Sequence, residues 1–307
     1  MKNAINYYFD LEPKVIRQVN NRFIFSIYNE KYYFVPYERK VDEIKDIYAL
    51  NLEMIKRNIL VHEIIQNKQN QPLTYVNNIP YILMKVYVND LKIANLSDIN
   101  DIQSKTVGIS HNPSIRRENW FDLWTKKVDY LEYQMSQFSK RFPILIDSIS
   151  YFVGLAENAI SYIKNTTVDT KSTPLDEFVV SHRRIEKDAT LYDIYNPLNF
   201  IIDHKVRDLG EYIKVNVFND KNIWEEIHLY FKHNMFSPYG IRLLYGRLLY
   251  PTIYFDLFEE IIDRKCEEEA IVPTIKKISE YEEFLSDIFH YLNLMAPLPK
   301  IEWLIKK

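Results

Sequence analysis

Glycine is nearly missing from this sequence. The chain of 307 residues holds five, Gly108, Gly154, Gly210, Gly240 and Gly246, where an average protein of this length has roughly 20. None precedes Gly108, and that absence excludes a glycine-rich nucleotide clamp from the N-terminal third. Such a clamp needs backbone N–H groups close to phosphate and positions of positive φ. Neither the dinucleotide fingerprint nor the Walker loop occurs anywhere in the chain. Cysteine is scarcer still: Cys266 is the only one, so no internal disulfide forms and a reducing compartment is expected. Acidic neighbours on both sides, Asp263 and Glu267 to Glu269, disfavour its thiolate, and it reads as inert. Charge of one sign is lacking too. A net charge of −3 gives no electrostatic reason to expect a nucleic acid or an anionic membrane as partner. No segment reaches the ~18 uncharged apolar residues of a membrane span. The nearest, Phe142 to Ile163, is interrupted by Asp147 and Glu157 and reads as a buried helix. Met1 to Tyr8 shows no secretory signal, so a soluble, cytoplasmic protein is expected.

What is present is apolar and aromatic. Apolar residues make up 47% of the chain, with 24 Tyr and 17 Phe, enough to bury the core of one large domain or of two lobes. Phe23 to Tyr28 and Tyr32 to Val35 are rich in aromatic and β-branched residues; Asn29-Glu30-Lys31 between them predicts a hairpin. Val41, Ile44, Ile47, Tyr48, Leu52 and Ile55 recur at helical spacing, predicting a helix from Arg39 to Asn58. Short strands follow at Leu73 to Val76 and Tyr81 to Val88, set off by Asn-Pro-rich turns. After a polar stretch, Asn89 to Asn119, long helices are predicted over 120–140 and 143–165, then a short strand at Phe178 to Val180 leading into Ser181-His182-Arg183-Arg184. Phe200 to Ile202 is apolar, 206–213 is helix-like, and 223–307 reads as helices separated by Pro238, Pro251, Pro273 and Pro297. A small β-rich lobe with one helix, residues 1–88, thus precedes a larger helical lobe, residues 89–307, and the class is α+β.

Several segments carry a resemblance in the same order. They are Tyr32 to Pro36 with the helix that follows, Tyr151 to Ile160, Val179 to Arg184, Asp203 to Leu209, and Arg242 to Pro251. Together they resemble the two-lobed, protein-kinase-like fold of the aminoglycoside and choline phosphotransferases, and most of all the spore-coat-associated kinase-like proteins (the CotS group, YutH-type). Active members of that fold use a strand lysine on ATP phosphates and an Asp in a His-Gly-Asp loop to orient the acceptor hydroxyl. An Asn five residues further on and a later Asp hold magnesium. Carried onto this sequence, the resemblance puts Pro36 in the lysine position and His182-Arg183-Arg184 in place of His-Gly-Asp, so Arg184 stands where the carboxylate belongs. Asp193 is the best match to the magnesium Asp, while Asp203 and Asp208 match a structural Asp-x-x-x-x-Asp. A rival alignment over Asn196 to Asp203 makes Asn199 the metal Asn and leaves Ile194 in the catalytic position. Either alignment breaks the site.

Each residue has a plainer reading. His182 is a loop histidine bonded to main chain. Arg183 and Arg184 are solvated or paired with Glu186 and Asp188. Asp193 caps a turn, and Asp203 and Asp208 are structural, Asp203 capping the helix that Asp208 enters. Tyr245, Tyr250, Tyr254 and Phe255 are core, and the acidic run from Glu259 to Glu269 is a solvated helix end. His228 and His233, five apart, do not share a helix face as zinc ligands would, and no nucleophile elbow occurs. The resemblance implies a degenerate kinase acting as a binding or assembly component of the spore coat, made in the mother-cell cytoplasm, with other coat proteins as partners and no cofactor. The alternative is a divergent phosphotransferase using ATP and Mg²⁺ through Asp193 or Asp203; a third possibility is a nucleotide-sensing scaffold. Aromatic side chains are expected to fill the volume an adenine would take. Ligand, substrate and oligomeric state are left open.

Overall fold

Where glycine is lacking, the chain turns on asparagine. In a computed structural model, which describes residues 1–88, 91–109, 113–138 and 141–305, strands β1 (Ile16–Val19) and β2 (Arg22–Ile27) are joined by Asn20-Asn21. Tyr28-Asn29 joins β2 to β3 (Glu30–Pro36), and Asn77-Asn78 joins β5 (Thr74–Val76) to β6 (Ile79–Val86). Tyr28 and Asn29 have φ of 49° and 67°, and Asn77 and Asn78 have 50° and 64°. Two successive positive φ values define the type I′ turn, whose twist matches that of the flanking strands, and Asn enters that region more readily than other non-glycine residues. The turn expected over Asn29 to Lys31 therefore sits one residue earlier, because Glu30 already pairs with Ile27.

These strands and β4 (Glu63–Ile65) form one antiparallel sheet in the order β1-β2-β3-β6-β4, with β5 also on β6. Alternation divides β3 between two faces. Tyr32 and Phe34 join Phe25, Tyr81 and Leu83 in a core closed by Ile5 of helix α1 (Lys2–Phe9). Tyr33 and Val35, opposite Met84 and Ile82, line the other face. The helix predicted for 39–58 is a single 3₁₀ turn, Val41–Glu43, followed by α2 (Ile44–Lys56), which buries Ile44, Ile47, Leu50 and Met54. The polar stretch, for which no element was predicted, contains α3 (Leu96–Lys105). Asn95 accepts from the N–H of Ser97 and Asp98, and Asp98 accepts in turn from the N–H of Asn95. That capping box and buried Leu96, Ile99 and Ile102 make the helix.

The chain packs as two units: Met1–Arg116 with Phe178–Asp203, and Arg117–Glu177 with His204–Lys307. Residues 89–116 and 178–203 thus fall with the sheet rather than with the helices, unlike the division at residue 88 read from the sequence. The second unit holds α4 (Trp120–Phe138), α5 (Pro143–Asp169), α7 (Val206–Val217), α8 (Trp224–His233), α9 (Pro238–Leu249), α10 (Thr252–Ile262), α11 (Val272–Lys276) and α12 (Ile278–Asn293). Helix α5 has the length and composition of a membrane span. One face of it is buried, at Leu145, Phe152, Leu155, Ala156, Ala159, Tyr162 and Ile163, and it packs on α4 and α9. Asp147 and Glu157 lie on its exposed side, so the helix expected to be buried is a half-buried one. Close approach of α5 to α9 requires Gly246: a Cβ there would stand 2.6 Å from Ile163 Cδ1. Tyr245, Tyr250, Tyr254 and Phe255 are buried, as expected. In the acidic run Glu259 pairs with Lys127, and Glu268 accepts from the N–H of Leu145.

Two buried polar networks hold the second unit. Asp176 accepts at Oδ1 from Ser237 Oγ (2.6 Å) and His204 Nε2 (3.2 Å), and at Oδ2 from the N–H (2.6 Å) and hydroxyl (3.1 Å) of Thr173. Because His204 Nδ1 accepts from the N–H of Val206, the imidazole carries its proton on Nε2. These donors hold the Asp176 carboxyl down, at about 2, against the opposing effect of burial. The other network joins α7 to α9. Glu211 Oε1 accepts from Arg247 Nε and Lys214 Nζ, both at 2.8 Å; Lys214 also donates to Thr252 Oγ1 (2.6 Å) and the Tyr250 carbonyl (3.2 Å). The Arg247 guanidinium lies 4.8 Å over the Trp120 ring.

Candidate functional site

The segment that carries the resemblance most closely is a second, two-stranded sheet, β7 (Phe178–His182) and β8 (Phe200–His204), with a loop between them holding the single-turn helix α6 (Leu191–Ile194). Several of its polar side chains bond to main chain. His182 is fully buried, and its Nε2 lies 2.9 Å from the Ile194 carbonyl oxygen. Asn199 donates through Nδ2 to the Arg184 carbonyl (2.9 Å) and accepts at Oδ1 from the Arg184 N–H (3.3 Å), while its own carbonyl accepts from the Arg183 N–H (2.8 Å). Asn199 therefore stitches the start of the loop to its end. Asp193 Oδ2 accepts from the N–H and hydroxyl of Thr190, both at 2.9 Å, and closes a capping box on α6. Arg184 turns its guanidinium back onto the Arg183 carbonyl (2.8 Å).

Asp203 is a fully buried strand residue at the end of β8, and Asp208 is fully buried in the first turn of α7. The N-cap position of α7 falls on Lys205 and not on Asp203, the capping residue expected from the sequence. Only Lys205 separates β8 from α7; it is already helical (φ −55°, ψ −23°) and makes no side-chain cap. Among the described residues, no three His, Cys, Asp or Glu side chains gather as metal ligands would.

Tyr192 of α6 lies against the inner face of the large sheet. It is 2% exposed, with the Tyr33 ring at 4.8 Å, the His62 ring stacked at 5.0 Å and the Arg22 guanidinium over it at 4.8 Å. His62, just before β4, also places Nε2 3.1 Å from the Tyr192 carbonyl oxygen, and its N–H donates to the Tyr195 carbonyl (3.0 Å). The same loop pairs with the chain beyond β6: Ala94 and Leu191 donate to the carbonyls of Ala189 and Lys92, both at 2.8 Å. Strand parity corrects one expectation. Pro36 shares the outer face with Tyr32 and Phe34, so it does not point toward this loop. The inward residues of β3 are Lys31, Tyr33 and Val35. Val35 is buried and apolar, and Lys31 lies 5.3 Å over the Tyr33 ring.

Sequence reasoning missed Tyr192, His62, Arg22 and Arg39. The side chain of Arg39 is 2% exposed and ties the β3–α2 link to the entry of β8. Its Nε donates to Glu43 (2.7 Å) and its Nη1 to the carbonyls of Leu198 (3.0 Å) and Phe200 (2.7 Å). An Arg and a Glu four apart at a predicted helix start were the one available signal.

An antiparallel sheet carrying one long helix, a two-stranded sheet with a buried histidine before its loop, and a larger set of helices define a kinase-like phosphotransferase fold. The chain is similar to an aminoglycoside phosphotransferase from Alicyclobacillus acidocaldarius subsp. acidocaldarius, with a TM-score of 0.65, 8% identity, and 95% of this chain and 96% of that one covered. It is similar also to the choline kinase LicA from Streptococcus pneumoniae, with a TM-score of 0.53, 10% identity, and coverage of 93% and 97%. Identities this low speak for the fold alone. The chain belongs to the family described as "Spore coat putative kinase YutH", which residues 2–288 match. It is 29% identical over 211 residues to the endospore coat-associated protein YutH of Bacillus subtilis (strain 168), and that match covers 61% of each chain.

Proposed function

We propose that this chain is a degenerate kinase that serves the spore coat as a binding or assembly component and transfers no phosphate. It is made in the mother-cell cytoplasm, and its partners are other coat proteins. The observation that carries this reading is the Tyr192 stack: an aromatic side chain of the loop itself packs on the sheet face where a nucleotide base would be sought. Arg184 supports it, since a permanent cation replaces the carboxylate that would orient an acceptor hydroxyl. Asn199 and Asp193 support it too, with Asn199 bonded to the Arg184 main chain and Asp193 to the α6 cap. On this reading MgATP does not fit the residues present. Phosphoryl transfer depends almost wholly on positioning and charge stabilisation, so a loop without those groups does not accelerate it.

The test has two arms. Purified protein is assayed for ATP consumption with sugars, aminoglycosides, choline and basic proteins, and no turnover above the protein-free rate is expected. A fluorescent fusion of the full chain in sporulating cells is expected to collect at the forespore surface. Turnover that disappears in Asp193→Ala or Asp203→Asn would instead establish the divergent phosphotransferase.

A further inference from the structure

Strand β1 leaves a row of main-chain groups without partners. It is the last strand on its side of the large sheet and pairs there with β2. Val19 and Arg22 flank the two-residue turn over Asn20-Asn21 and so bond to each other; alternation makes Arg17 and Ile24 the next bonded pair. The N–H and C=O groups of Ile16 and Gln18 therefore point away from β2. Among the described residues nothing bonds to them, and the strand is exposed from Arg17 to Val19. An edge of this kind is a template for one more strand.

The side chains along the edge decide what strand it takes. By alternation Val15, Arg17 and Val19 fall on one face. The two valines are 66% and 51% exposed, and Arg17 is exposed between them. Lys14, just before the strand, lines an open depression beside α1 together with Lys2, Glu12 and Lys68. Lys68 is paired with Asp10, and Glu12 accepts from Asn6. Lys2, Lys14 and Arg17 are exposed and, among the described residues, have no ion-pair partner. Three cations thus stand against the carboxylate of Glu12, in a chain whose net charge is −3. The same charge disfavours a second copy as the occupant. The antiparallel register that engages Ile16 and Gln18 of both chains would set Arg17 opposite Arg17.

We propose that β1 is a docking edge that takes an extended acidic segment of another protein as an added antiparallel strand. The segment bonds to the main chain of Ile16 and Gln18, sets a carboxylate opposite Arg17, and places apolar side chains opposite Val15 and Val19. Its recognition pattern is apolar-x-acidic-x-apolar. This deepens the reading above, and it rests on that reading only for the use of the edge in coat assembly.

The test follows the Ile16 and Gln18 amides of the full chain by ¹⁵N NMR, as chemical shift and as hydrogen exchange. The probe is the peptide Thr-Val-Thr-Glu-Thr-Val-Thr, blocked at both ends. Saturable shifts and slowed exchange at both amides are expected. Affinity is expected to fall about three-fold in Arg17→Gln, the scale of one cross-strand charge pair, and further when the peptide carries Lys in place of Glu. N-methylation of the two Thr beside Glu is expected to abolish binding, because their N–H groups face β1. N-methylation of Glu, whose N–H faces solvent, is expected to leave binding intact. Gln18→Pro removes one outward donor where an edge strand tolerates proline; it is expected to unfold as the parent does and to lose the peptide. Absence of saturable change at these amides, or equal binding of the Glu and Lys peptides, overturns the proposal. Self-association of the parent in sedimentation that Gln18→Pro removes assigns the edge to a second copy and overturns it too. All these outcomes are independent of ATP turnover, which decides the reading above and not the edge.

Discussion

Two buried polar constructions in this molecule solve different problems. Between β7 and β8, the described bonds of His182, Asn199 and Arg39 run largely to main-chain groups, and they fix the course of an irregular loop. In the helical unit, Glu211, Lys214 and Arg247 bond chiefly to one another, and they balance charge inside a core. The contrast teaches how the surroundings set the partner: in an irregular loop Asn199 and Asp193 bond to nearby groups of the loop itself. A core ion cluster keeps its side chains together because each is costly to bury alone.

The comparison breaks most sharply at Glu211. Replacing it with Ala leaves Arg247 and Lys214 buried without their shared carboxylate, and a loss of about 3–5 kcal/mol is expected in denaturant unfolding. A loss below about 1 kcal/mol would show that the cluster is not balanced through Glu211. Asp176 gives a smaller effect with a pH signature. Its folded value, about 2, lies below the ordinary 3.8, so its contribution is present in full above about pH 5 and falls away as pH drops through 2. The contribution is about 2 kcal/mol. Asp176→Ala is expected to remove that much at neutral pH and to flatten the acid limb of the stability curve; parallel acid limbs in parent and variant would contradict the assignment. Asp193 sharpens the contrast at the small end. As a cap it is worth about 1 kcal/mol, so Asp193→Ala is expected to lower stability by that amount equally with and without Mg²⁺. A Mg²⁺-dependent difference would make it a metal ligand.

Much of the fold was legible because it rests on periodicity. The β2–β3 hairpin, helix α2, the helices over 120–169 and the proline-divided C-terminal helices all follow from apolar spacing. What escaped was short or was held by distant partners. Strands β1 and β4, with four and three residues, are too brief for a period-2 pattern, and α3 lay hidden in a polar stretch although Asn95 and Asp98 spelled out its cap. At the site, the local turn reading of Asp193 and the main-chain bonding of His182 followed from short-range pattern. The packing of Tyr192 on Tyr33 and His62 did not, since nothing local ties position 192 to 33 or 62. The same holds for Arg39, whose acceptors are carbonyls some 160 residues away. Main-chain acceptors leave no mark in a sequence.

The central claim is that the loop itself occupies the sheet face where a nucleotide would bind. Calorimetry of MgATP with the parent protein and with Tyr192→Ala tests it most directly. The account predicts no saturable Mg²⁺-dependent heat for the parent; for the variant it predicts at most weak adenine binding in the space the phenol leaves. Saturable MgATP binding by the parent, lost in Asp203→Asn, would contradict it.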